Sequence, residues 1–163
     1  MNEIHLHLMV NHLPIIVPAV GIFILIAGLF LRSNILIRTA FCIFIFTGIA
    51  AFMAGWSGEG AEHTAEKITG ISHDLIHEHE EAAEPFVLVC YLLMLLAIIG
   101  LWANLKNKSF AKIMTWLVFI TASLGIYLSF NVGTTGGEIR HEEIRSANHN
   151  QPSSEQSTDD DQD

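Results

Sequence analysis

Four stretches of this chain contain no Asp, Glu, Lys or Arg, and they restrict its fold more than any other feature. They run from Ile4 to Leu31, from Thr39 to Gly58, from Pro85 to Leu105 and from Ile113 to Gly137. A helix needs about 20 apolar residues to cross the hydrocarbon core of a bilayer, and each stretch supplies that length. The sequence therefore predicts membrane-spanning helices at about residues 13–31, 35–56, 86–105 and 113–132.

The overall composition agrees with an integral membrane protein. Hydrophobic residues make up 51% of the 163 residues, which is more than a soluble domain of this size usually carries. We expect an all-α fold, a membrane four-helix bundle with a helical extracytoplasmic connection between the second and third spans. This domain is expected to occupy residues 1–147. The remaining residues, 148–163, are predicted to form a disordered acidic tail.

The basic residues predict how the spans are oriented. Five of the eight Lys and Arg residues lie in the two short connections between spans: Arg32, Arg38, Lys106, Lys108 and Lys112. Cytoplasmic loops are enriched in Lys and Arg, so these connections are expected in the cytoplasm. Both termini and the long connection then lie on the periplasmic side of the inner membrane. The N-terminus MNEIHLH has no basic region, so the first span is expected to be retained rather than cleaved as a signal peptide.

The net charge of −9 restricts the possible partners. Strong acidity disfavours nucleic acid, which leaves the lipid bilayer and a respiratory or redox membrane protein as the expected partners. No Ser or Cys nucleophile motif accompanies the histidines. The protein is therefore expected to be an electron carrier or a subunit rather than a stand-alone catalyst.

All nine histidines lie outside the four predicted spans, and the orientation places them on one side of the membrane. Three of them, with five carboxylates, occur in the segment HDLIHEHEEAAEP that precedes the third span. On a helix, His79 shares a face with Phe86, whereas His73 and His77 point roughly the opposite way. His79 is thus predicted to face the interior of the bundle.

The N-terminal segment HLHLMVNHLPIIVP brings further histidines to the same side. Proline is best tolerated in the first turn of a helix, so Pro14 predicts a helix that begins near Asn11, with extended backbone before it. At ~1.5 Å per residue, His12 would lie about 30 Å from Arg32 along this helix. That distance places His12 level with the membrane interface.

A pair of glycines follows the fourth span. Gly136 and Gly137 are expected to turn the chain sharply, which would fold Arg140 and His141 back over the mouth of the bundle. Arg140 would then pair with a haem propionate or with a carboxylate of the long connection.

Three functions remain open on these residues. In the first, the protein is a b-type cytochrome with two neutral histidines as axial ligands of haem b. His12 and His79 form the expected axial pair, although His79 stands about 40 Å above Lys106, so this pair needs a kink at Pro85. His7 with His79 needs no kink. His7 and His141 otherwise form a second pair or support the first.

The second function is a Zn or Cu site without thiolate ligands, built from His73, His77 and His79. His73 and His77 are an i, i+4 pair on an acidic face. The third function is a cofactor-free membrane subunit whose histidines titrate near neutral pH or lie on a partner surface.

Small residues recur on the second and fourth spans and form stripes that let helices approach closely. The stripes are Thr47, Gly48, Ala51 and Gly55 on the second span, and Thr121, Gly125 and Ser129 on the fourth. Nothing about these stripes is typical of a binding site. They predict helix packing.

Several short motifs resemble one known family. They are H-x4-H-x-P-I at His7–Ile15, GEGAE at Gly58–Glu62, HEEAA at His79–Ala83 and GGEIRHEEI at Gly136–Ile144. In this order they resemble the small four-span bacterial membrane proteins catalogued as domain of unknown function 2231. The resemblance implies a four-helix membrane domain, with four histidine positions to consider: His7, His12, His79 and His141.

Overall fold

A computed structural model describes residues 3–65 and 73–140, so the predicted tail lies outside the described residues. The described residues form five helices: α1 (Glu3–Val10), α2 (Leu13–Phe30), α3 (Asn34–Ala65), α4 (His73–Leu105) and α5 (Ala111–Arg140). Four stretches are long and apolar enough to cross a membrane: His7–Phe30, Asn34–Gly58, His73–Leu105 and Ala111–Ile139. The predicted all-α four-helix architecture is confirmed. The described parts of the long connection are helical, because α3 and α4 both extend beyond the predicted spans.

The four long helices α2 to α5 form a ring in which each helix contacts two others. Helix α3 packs against α2 and α4, α5 packs against α4 and α2, and α1 lies against α3. Neighbouring helices run in opposite directions, since short turns join α2 to α3 and α4 to α5. One end of the bundle, the basic end, therefore holds the five cations named above. The opposite end holds His7 and His79 and is called the histidine end.

Large apolar side chains cover the outside of the bundle. Phe23 and Tyr127 are each 74% exposed, and Phe52 and Phe130 are also exposed. A water-soluble protein rarely exposes continuous apolar surface of this kind, whereas lipid tails match it. The helices thus belong to an integral membrane protein.

The N-terminal segment corrects a sequence prediction. The sequence predicts extended backbone before Asn11, but that segment forms helix α1. Pro14 has no amide hydrogen and cannot donate to the carbonyl of Val10, which interrupts the ladder of helical hydrogen bonds. The helix resumes at Leu13. The prediction was wrong because helical backbone also precedes Pro14, which separates α1 from α2.

The end of α5 corrects a second prediction. Gly136 and Gly137 are expected to turn sharply, but α5 stays helical through both residues and ends at Arg140. Gly136 instead allows close packing, since a Cβ there would lie 3.1 Å from Cε1 of His79. The contacts with α4 compensate for the weak helix propensity of glycine. His141, expected to follow the turn, lies outside the described residues.

Both turns at the basic end close in the same way. Arg32 and Asn107 follow the ends of α2 and α4 and have φ of 52° and 50°. The amides of the next residues, Ser33 and Lys108, each donate at 2.9 Å to a carbonyl five residues earlier. This Schellman arrangement satisfies carbonyls that the helix ends would otherwise leave unpaired. The turns therefore fix the short connections that hold neighbouring helices antiparallel.

Arg38 joins α3 to α4 at the basic end. Its Nε donates to Oδ1 of Asn104 at 2.6 Å, and its Nη2 donates to the Asn104 carbonyl at 3.3 Å. Nδ2 of Asn104 donates in turn to Oδ1 of Asn34 at 3.3 Å. Charge-assisted hydrogen bonds of this kind lower the cost of a guanidinium close to hydrocarbon.

Two apolar layers fill the bundle. Phe41, Phe44 and Leu93 form the centre of the layer nearer the basic end, and all three are fully or almost fully buried. Phe86 and Val132 belong to the layer nearer the histidine end. The second layer therefore forms an apolar floor beneath the histidines.

Most of the small-residue stripes lie between helices, as the sequence predicts, but the prediction was wrong for Gly55, which is exposed and has nothing within 4 Å of a Cβ placed there. Thr47 on α3 and Thr121 on α5 are buried. At Gly48, α3 approaches α4 so closely that a Cβ would lie 2.5 Å from the Cβ of Met94. Small residues permit this approach, and a membrane helix pair gains its stability from it.

Candidate histidine site

Helix α1 holds the imidazole of His7 against the end of α3. The ring is half-buried, and its Nδ1–H donates to the Ala54 carbonyl at 3.1 Å and to Oγ of Ser57 at 3.3 Å. The Ser57 hydroxyl donates to the same carbonyl at 3.1 Å. Gly58 adjoins the ring, since a Cβ there would lie 3.4 Å from Cε1 of His7. The end of α3 thus provides both the acceptors and the space for this imidazole.

Helix α4 holds the imidazole of His79 against α5. His79 is partly buried, as its predicted inward position requires. Its Nδ1 lies 3.0 Å from Oγ1 of Thr135. Thr135 is buried, and its hydroxyl donates to the backbone carbonyl of Asn131 at 3.1 Å. The Thr135 hydroxyl and Nδ1 of His79 thus form a hydrogen bond whose direction depends on the tautomer of His79.

The hydrogen bonds of His7 determine its tautomer. A carbonyl oxygen only accepts, so Nδ1 of His7 carries a hydrogen, whereas the Thr135 hydroxyl opposite Nδ1 of His79 can donate or accept. In neutral His7, the lone pair is then on Nε2. This arrangement, with one nitrogen anchored and the other available, is the usual arrangement of a metal-ligating histidine.

The two imidazoles lie at the same end of the bundle. Helix α1 holds His7 against the end of α3, α4 holds His79 against α5, and α3 packs against both α1 and α4. The buried layer that contains Phe86 and Val132 lies beneath them in the bundle. Residues 73–84 of α4 carry five acids, which places this end of the bundle beyond the hydrocarbon core. The pair therefore sits where the apolar interior meets the polar boundary.

The other predicted ligands lie elsewhere. His12 is exposed and precedes α2 as its N-cap, with no hydrogen bond from its side chain to the helix. It interacts electrostatically with His7. Arg140 is the last residue of α5, and its side chain, like the whole of His141, is outside the part of the chain that the structure describes.

The residues of the alternative metal site do not converge. His73 and His77 are exposed, whereas His79 faces α5. Nε2 of His77 lies 3.5 Å from Oε1 of Glu81, one turn further along α4. Within residues 3–65 and 73–140, no three His, Cys, Asp or Glu side chains are grouped as metal ligands. The described residues thus offer two partly buried imidazoles rather than a three-ligand centre.

Comparison with known proteins gives no match. No family model matches the chain, and no curated protein or solved structure is similar to it. The resemblance to domain of unknown function 2231 stays a prediction.

Sequence reasoning missed the residues that orient the two imidazoles. Ser57 and Thr135 look like ordinary small residues near the ends of apolar stretches, and the Ala54 carbonyl has no sequence signature at all. Ser57 and Thr135 do share one sequence feature, since each directly precedes a glycine that adjoins a histidine ring. A hydroxyl residue followed by glycine, at the end of a span, marks a place where another helix brings a polar side chain close.

Proposed function

We propose that the histidine end binds haem b, with His7 and His79 as axial ligands, and that the protein passes single electrons to a membrane redox partner. The observation that carries this proposal is a pair of partly buried imidazoles at one end of the bundle, each hydrogen-bonded through Nδ1 to a neighbouring helix. Bis-imidazole ligation inside four-helix bundles suits haem b, which supplies one-electron redox chemistry when bound. His7 takes the place first expected of His12, which is exposed.

The surroundings of the pair also support this chemistry. The glycines Gly58 and Gly136 keep one side of each ring free of a Cβ. The apolar layer below suits the body of a porphyrin, and the polar boundary above suits its propionates. The hydrogen bonds from His7 to the Ala54 carbonyl and between His79 and Thr135 orient the two rings, which fixes the direction of the ligand nitrogens. Arg140, at the end of α5, is our proposed partner of a propionate.

We test the haem proposal with a visible spectrum of detergent-purified protein, expressed with ample haem. We expect a Soret band and, on reduction, the sharp α band of a low-spin haem with two histidine ligands. Elemental analysis of the same sample serves as the control. The proposal is wrong if Soret absorbance is absent while about one Zn or Cu per chain is found, and the HEHEE segment then becomes the metal site.

We also propose that the histidine end faces the periplasm and the basic end faces the cytoplasm of a bacterial inner membrane. The five cations of the two short connections support this orientation. A reporter that is active only in the cytoplasm should work when fused after Arg32 or Lys108. It should fail after Glu62 or Val132. Cytoplasmic activity of the Glu62 fusion would overturn the orientation and place the histidines inside the cell.

A further inference from the structure

The ring of helices has its most open side between α2 and α5. These two helices meet less extensively than the other neighbouring pairs of the ring. Two apolar grooves follow this side. One, of about 580 Å³, lies toward the histidine end beside Ile16 and Phe130, and the other, of about 350 Å³, lies toward the basic end. The second groove is lined by Ile26, Leu29, Phe30, Trp116 and Phe119.

Two cations lie close in sequence to residues that line this second groove, on the side of the basic end. Arg32 follows Phe30 by two residues, at the Schellman turn that ends α2, and its side chain is exposed. Lys112 precedes Trp116 by one helical turn on the same face of α5, and it is exposed as well. The surrounding segments, residues 4–58 and 85–137, contain no acidic residue. No carboxylate of these two segments therefore neutralises Arg32 or Lys112.

The groove has the two parts that a phospholipid requires. Its walls are aliphatic and aromatic and face the membrane, which suits an acyl chain. Trp116 is half-exposed on this wall, and tryptophan prefers the level of the headgroups. The cations lie beyond it in the direction of water, where a lipid phosphate is found. A neutral lipid would fill the groove without using either charge.

We propose that the groove between α2 and α5 at the basic end is a binding site for one anionic phospholipid. One acyl chain lies against Leu29, Trp116 and Phe119, and the phosphate lies between Arg32 and Lys112. Each cation that meets the anionic headgroup contributes about a fivefold preference over a zwitterionic lipid. The site is independent of the histidine end and of any cofactor bound there.

Fluorescence of Trp116 tests this site directly. The chain has three tryptophans, so replacing Trp56 and Trp102 with Phe leaves Trp116 as the only emitter. The protein is reconstituted in phosphatidylcholine vesicles that contain an equal fraction of either dibrominated phosphatidylglycerol or dibrominated phosphatidylcholine. We expect the brominated phosphatidylglycerol to quench Trp116 with an apparent association constant about 25-fold larger than that of the brominated phosphatidylcholine, the product of the two fivefold contributions.

Two double variants identify the cause of the preference. Arg32→Gln with Lys112→Gln should reduce the ratio of the two constants to about one. Lys106→Gln with Lys108→Gln removes the same charge from the same end but away from the groove, so it should preserve most of the preference. Native mass spectrometry of the unaltered chain should retain one phosphatidylglycerol. Equal quenching by both lipids, or equal loss of preference in both double variants, overturns the site in favour of a diffuse surface charge.

Discussion

Replacing His79 with alanine is expected to abolish the haem spectrum. His79 is the partly buried imidazole of α4, anchored on Thr135, and no other histidine within the described part of α4 faces the bundle. Without its Nε2, one axial position is lost, and a two-histidine low-spin signature cannot form. His7→Ala should have the same effect. The measurement is the reduced-minus-oxidised difference spectrum, normalised to protein.

Exposed histidines on the same helix provide matched controls. His73→Ala and His77→Ala remove imidazoles from the outward face of α4 and should leave the spectrum unchanged. Loss of haem in the His73 variant together with retention in the His79 variant would reject the proposed ligand.

A milder pair of variants separates ligand positioning from folding. Thr135→Val keeps the shape of the side chain but removes the oxygen that is hydrogen-bonded to Nδ1 of His79, and loss of such a partner weakens binding at the metal by about 10–100-fold. Thr134→Val, one residue earlier, is the control, because the Thr134 hydroxyl is exposed and donates only to its own helix at Phe130. Thr135→Ser should restore most of the affinity.

Replacing Gly48 with alanine is expected to destabilise the bundle by about 1–3 kcal/mol, the usual cost of overpacking a tight interface. The added Cβ would lie 2.5 Å from the Cβ of Met94 and 2.8 Å from its Sδ. The sulfur can move, but the Cβ of Met94 is fixed to the backbone of α4, so α3 and α4 must separate. The free energy of unfolding, measured by denaturant titration in mixed micelles, reports the loss.

Gly55 on the same helix offers the matched control. Nothing lies within 4 Å of a Cβ at that position. Gly55→Ala should therefore be neutral or stabilise α3 by up to about 1 kcal/mol, because alanine has the higher helix propensity. The two substitutions add the same methyl group with opposite expected signs. Equal effects would mean that the approach of α3 to α4 at Gly48 does not determine stability.

The helices were predictable because hydrophobic length is a local property. A charge-free stretch such as Pro85–Leu105 carries all the information needed to identify a span. The inward direction of His79 was also predictable, since its position relative to Phe86 follows from helical periodicity alone.

Contacts between helices were much harder to predict. The sequence could not show that Gly136 accommodates the ring of His79, and glycine was instead assigned its more familiar role in a turn. The sequence also could not show that α1 lies against α3, which is the contact that gives His7 its hydrogen-bond partners and leaves His12 exposed. Helical periodicity predicts which face of a single helix is buried. A site formed by side chains of several helices also depends on how those helices pack against one another.

The open side between α2 and α5 gives the bundle an uneven mechanical compliance. The contact between α2 and α5 is the least extensive of the four, so we expect changes in bilayer thickness or lateral pressure to displace α2 relative to α5. The pairs α2–α3, α3–α4 and α4–α5 all meet more extensively than α2 and α5 do, so we expect these three contacts to persist when α2 and α5 separate. His79 and Thr135 lie on the α4–α5 pair, and His7 is hydrogen-bonded to α3. Both imidazoles are therefore held by contacts that do not include the open side of the bundle.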